Sequence, residues 1–147
     1  MSLNNNSKEF RMSAISDITL NDGADTPVAT TFSVMTKEGL NAEWADTSDG
    51  VPVGFPTVTL RMRRSNGNQV RKVAVKVVQP VLKEAAASQS TGFIPAPEVQ
   101  GYVSVHTEIL IPENIPEAAT KDALAFAAGA LQEAFVKNAA ISGQFPY

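Results

Sequence analysis

The sequence predicts an α+β protein: an antiparallel β-sheet built from about six strands, followed by one or two C-terminal helices. Two observations carry that prediction. Apolar and polar residues alternate with a period of two, in short runs separated by turn residues, as far as residue 112. From Pro116 onward the apolar spacing changes to the helical period, through Leu124, Ala127, Ala128, Leu131 and Phe135.

Residues 1–14 read as a solvated arm, because three consecutive Asn and three Ser give it little to bury. The remainder, 15–147, reads as one domain, with its sheet over 15–112 and its helices over 116–142. ISDITL, residues 15–20, alternates and favours a strand. NDGAD then supplies the Asp, Asn and Gly that a hairpin turn needs. VATTFSVM, residues 28–35, returns as a second strand, Thr36–Gly39 turns, and LNAEWA, residues 40–45, forms a third strand in which Trp44 is a packing anchor. The Gly- and Pro-containing stretch 46–56 is a loop.

TVTLRMRR, residues 57–64, sends Val58, Leu60 and Met62 to one face and Thr59, Arg61 and Arg63 to the other. SNGN, residues 65–68, is a strong hairpin signal. Residues 69–79 come back, with Val73, Val75 and Val77 on one face and Lys72, Ala74 and Lys76 on the other; Pro80 is expected to end the strand. A long Ala/Ser/Pro loop spans 81–98, and loops of that length are usually functional. The last strand, 99–112, places Tyr102, Ser104, His106 and Glu108 on one face. Beyond it, Pro116 suits a helix start, Gly129 interrupts the helical run, and Gly143 is a stop signal.

Composition excludes several kinds of protein. With no Cys and one His among 147 residues, disulfide scaffolds, thiolate zinc sites, cysteine nucleophiles and paired-His metal motifs are ruled out. Neither phosphate-binding glycine loops nor a catalytic acid–base pair is present, so an enzyme is not expected, and no cofactor is implied. The N-terminus has no apolar core of a secretory signal. The longest uncharged apolar run, 123–132, is far short of the roughly 20 residues of a membrane span.

Charge is more informative as a distribution than as a sum. The net charge of −3 argues superficially against nucleic acid. Yet residues 57–83 hold 7 of the 12 Lys and Arg, namely Arg61, Arg63, Arg64, Arg71, Lys72, Lys76 and Lys83, and no Asp or Glu. A hairpin of these strands presents a cationic plate, the footprint of a phosphate partner. An ordinary wet sheet face mixes both signs. Tyr102 and His106 lie on the polar face of the last strand, where an aromatic ring stacks nucleobases. One difficulty remains within a single chain. Some 25 helical residues must cover the apolar sheet face, either on their own sheet or on that of a partner.

The ordered set of segments LNDGADTPVATTF, GLNAEWA, TVTLRMRRSNGNQVRKVAVKVVQP, a last strand ending in LIP and a helical tail closing in PY resembles the coat proteins of single-stranded RNA bacteriophages, the levivirus type. The resemblance runs from about Ile15 to Tyr147. It implies two C-terminal helices that interlock over the sheets of an obligate homodimer, and dimers that build an icosahedral shell in the bacterial cytoplasm and remain in the virion. It also implies that the 81–98 loop gathers at the symmetry axes of the shell, and that the inner sheet face binds genomic RNA, with an operator hairpin as one ligand. The matching residues are Thr59, Arg61 and Arg63, then Lys72, Ala74 and Lys76, then Ser104 and His106. Tyr102 joins them as a stacking candidate. Two positions depart from the family: Ser104 stands where some members carry a stacking tyrosine, and Ala74 replaces a polar residue of an adenine pocket. A dimeric RNA-binding sheet protein that never assembles is the competing expectation.

Overall fold

The computed structural model describes residues 14–64, 67, 70–84 and 96–146. Six strands follow one another in a single sheet, in the order β1 (Ile18–Asn21), β2 (Ala29–Glu38), β3 (Asn41–Ala45), β4 (Thr57–Arg63), β5 (Val70–Leu82) and β6 (Val99–Pro112). The sheet is antiparallel, and every strand neighbours the next in sequence. Helices α1 (Glu117–Gln132) and α2 (Ala134–Ser142) follow. By packing, the chain divides into two compact units: Met1–Met62 with Val73–Glu108, and Arg63–Lys72 with Ile109–Tyr147.

In the first unit the alternating pattern places Phe32, Trp44 and Val58 in one buried cluster, with Ile18, Val34, Leu60, Val75 and Val77 packed against it. Trp44 lies directly opposite Val58 across β3 and β4. Its indole N–H donates to the Ser16 carbonyl at 2.9 Å, so the ring is fixed by packing and by a hydrogen bond. Asp17 accepts the Val34 N–H at 2.9 Å and ties the chain ahead of β1 to β2.

Several boundaries differ from those the sequence predicts. Thr36–Glu38 do not turn; they pair with β3, down to Glu38 opposite Asn41, and only Gly39 and Leu40 reverse the chain. Gly39 adopts φ 56°, a conformation that glycine takes without a Cβ clash. The register shifts by one residue between Val34 and Thr36, so Met35 is a bulge and the strict alternation of β2 is broken there. The first turn is wider than a tight Asp-Gly hairpin: β1 and β2 pair only as far as Asn21 opposite Ala29. Asp22 closes it by accepting the N–H groups of Val28 at 2.9 Å and Ala24 at 3.2 Å. Those two donors hold the Asp22 carboxyl below its ordinary pKa.

Pro80 does not end β5, which continues to Leu82. β5 has 13 residues against 7 in β4, so its far end extends past its hairpin partner and an N–H is not required there. The backbone of Lys83 then meets Glu98 before β6 begins at the predicted residue. Gly67 of the SNGN turn has φ 95°. The rest of that turn, the arm up to residue 13, and positions 85–95 of the long loop lie outside the described residues.

In the second unit the helical run is two helices. Glu133 is extended (φ −65°, ψ 140°) and breaks it, four residues after Gly129. Gly143 caps α2 in the left-handed conformation, as the stop signal predicts. Neither helix buries a single residue. No helix among the described residues is long and apolar enough to cross a membrane.

Candidate nucleic-acid interface

Within the first unit a cavity of about 430 Å³ opens on the sheet face opposite the Trp44 cluster. Its lining follows from alternation. Because Val58 and Leu60 turn to the core, Thr57, Thr59 and Arg61 turn to the cavity; because Val75 and Val77 pack inward, Ala74, Lys76 and Val78 face the other way. β6 adds His106 and β3 adds Glu43, which the register places directly opposite Thr59.

Burial sorts these residues into two levels. Glu43, Thr57, Thr59, Ala74 and Val78 are half-buried and make the floor, while Arg61, Lys76 and His106 are exposed and make the rim. The floor thus offers two hydroxyls, one carboxylate and a small apolar surface. The rim offers two fixed cations and an imidazole. The side chains of Glu43, Arg61, Lys76 and His106 have no hydrogen-bond or ion-pair partner among the described residues. Phosphates suit the rim and a planar base suits the floor.

Of the residues singled out from the sequence, Thr59, Arg61, Ala74, Lys76 and His106 come together here. Tyr102 and Ser104 do not line the cavity; both are exposed on β6, at the same alternation as His106, and Tyr102 is 64% accessible. Arg63 and Lys72 belong to the second unit, Arg63 exposed at the end of β4 and Lys72 half-buried on β5. Glu43 is the residue that the sequence reading passed over. It lies outside the cationic hairpin of residues 57–83, so the run of Lys and Arg does not point to it. The signal that could have found it is the anchor next to it: if Trp44 faces the core, Glu43 faces the polar side. No group of His, Asp or Glu among the described residues could hold a metal ion.

The architecture is thus a meander sheet with two trailing helices, with cations on the polar sheet face. Solved structures with this fold include the virus-like particle of bacteriophage ESE058, at TM-score 0.82 and 27% identity over 92% of this chain and 100% of that one. The virus-like particle of bacteriophage NT-214 aligns at TM-score 0.81 and 22% identity, over 92% and 100% of the two chains. The bacteriophage GA protein capsid aligns at TM-score 0.66 and 18% identity, over 90% and 96%. The last two, being so distant in sequence, speak for the fold alone. No curated protein sequence matches the chain. A family model for the levivirus coat protein matches residues 13–147, and the chain belongs to that family. It is accordingly a structural capsid protein of the virion and not an enzyme.

Proposed function

We propose that the chain forms an obligate homodimer, that dimers assemble into an icosahedral shell in the bacterial host cytoplasm, and that the polar sheet face lines the inside and holds single-stranded genomic RNA. The observation that carries the assembly reading is the exposure of the helices. Phe126 of α1 is 76% accessible, Ile141 of α2 82% and Phe145, just beyond α2, 85%, and apolar surface on that scale calls for a protein cover. The similarity to a chain solved as a virus-like particle supports the same reading.

The RNA-binding set is Thr59, Arg61, Arg63, Lys72, Lys76, Tyr102, Ser104 and His106. Support for it comes from the cavity, which gathers four of these residues with two of the fixed cations. The test is expression of the chain alone, followed by electron microscopy, size-exclusion chromatography and the absorbance ratio of the particles. Uniform particles with nuclease-protected RNA are expected. A monomer in native buffer overturns the assembly reading, and dimers that bind RNA without forming shells favour the non-assembling module. In Arg61→Glu/Lys76→Glu, dimers are expected to persist while RNA content falls.

A further inference from the structure

We infer that Glu43 is a base-reading residue, and that the cavity selects guanine from single-stranded RNA. This rests on the proposal that the polar sheet face binds RNA. A carboxylate is unfavourable in a site that only grips phosphate, since it repels the same charge that Arg61 and Lys76 attract. Here a carboxylate stands on the floor, opposite Thr59, with no partner among the described residues. Its chemistry is acceptor-only, so it is satisfied by a ligand that presents donors.

Among the bases, guanine matches this lining most fully. Its Watson–Crick edge carries N1–H and N2–H₂, two adjacent donors for the two carboxylate oxygens, beside the O6 acceptor for a cation. Arg61 and Lys76 supply cations at the rim, and Ala74 and Val78 supply the apolar surface for the ring face. Adenine and cytosine bring one amino group each, and uracil brings a single N–H between two carbonyls that a carboxylate repels. Single-stranded RNA exposes these edges because its bases are unstacked and splayed. The cations then provide attraction that does not depend on sequence, and Glu43 provides the preference.

The test is the affinity of the assembled dimer for short single-stranded RNA oligomers that differ in one central nucleotide: guanosine, inosine, adenosine, cytidine or uridine. The guanosine oligomer is expected to bind about tenfold tighter than the adenosine and uridine ones, within the discrimination of a good bidentate contact. Inosine, which lacks the N2 amino group, is expected to fall between them. Glu43→Gln preserves shape and removes the acceptor pair. It is expected to equalise the five affinities while retaining their salt dependence. Equal affinities in the unsubstituted protein overturn the inference and leave RNA binding intact. A guanosine preference that survives in Glu43→Gln also overturns it. Failure to bind any oligomer overturns the RNA reading itself and this inference with it.

Discussion

Lys83 and Glu98 are joined twice: the Lys83 N–H donates to the Glu98 carbonyl at 2.8 Å, and the Lys83 ammonium meets the Glu98 carboxylate at 2.9 Å. The pair closes the neck of the long connection between β5 and β6. The backbone bond holds the two strands in place, and the ion pair sits in water, with both side chains more than half exposed. Exposed pairs of this kind contribute about 0–1 kcal/mol. Glu98→Gln is therefore expected to lower stability by less than about 1 kcal/mol, with the difference shrinking in high salt. Thermal melts at two ionic strengths, at fixed protein concentration, check this; a loss of several kcal/mol would mean that the carboxylate, not the backbone, holds the neck.

Trp44 carries far more. It is the largest member of a small buried cluster and donates to the Ser16 carbonyl. Trp44→Phe keeps most of the ring volume and removes the donor, which is expected to cost about 1 kcal/mol. Trp44→Ala opens a cavity in the cluster and is expected to cost about 3–5 kcal/mol. Chemical denaturation followed by circular dichroism separates the two, and similar losses for both variants would mean that the hydrogen bond dominates over packing.

How far the sequence disclosed this molecule depends on the scale of the interaction. Faces were legible, because a period of two is a property of the strand alone: Val58 and Leu60 go inward, and Thr59 and Arg61 outward. The start and end of β6 were equally plain, since Pro112 and the change of period mark its end. Ends set by pairing were not. Thr36–Glu38 look like a turn in isolation and become strand because β3 lies alongside, and Pro80 is tolerated where β5 extends beyond β4. The same limit applies to the site. The cations of one hairpin were visible as a run, whereas Glu43 enters the cavity through the register between β3 and β4.

Gly54 is fixed by a neighbour. A Cβ built on it would stand 2.9 Å from a terminal methyl of Leu82, at the far end of β5. That methyl belongs to a rotatable side chain, so Gly54→Ala is expected to cost about 1 kcal/mol, the low end of overpacking. In a Leu82→Ala background the added methyl has room, and the cost of Gly54→Ala should disappear. A double-mutant cycle on thermal stability measures this coupling, and additive losses would show that the clash is not its origin.

Asp22 predicts a pH dependence with a definite sign. The Val28 and Ala24 N–H groups, in that order of importance, lower its pKa from the ordinary 3.8. Its contribution to the first turn is therefore fully present above the ordinary aspartate range and is lost as the pH falls through the lowered folded value. Asp22→Asn lacks that charge at every pH. The stability gap between the native chain and this variant is expected to be largest near neutrality and to close on acidification. Melting curves between about pH 6 and about pH 2 test it, and a gap that widens in acid would contradict the assigned cause.

Arg61 and Lys76 both stand exposed on the cavity rim, and they predict a salt dependence that separates phosphate contacts from base contacts. Each phosphate neutralised on a single strand contributes a slope of about −0.7 to log K against log salt. Lys76→Gln removes one cation without altering the floor, so its slope should become shallower by about 0.7, and affinity should fall alike for all RNA sequences. Glu43→Gln should behave in the opposite way, with an unchanged slope and the guanosine preference lost. Titrations at four or more salt concentrations resolve the difference. If Lys76→Gln leaves the slope unchanged, the rim does not contact phosphate, and the cationic face has to be explained by its own solvation.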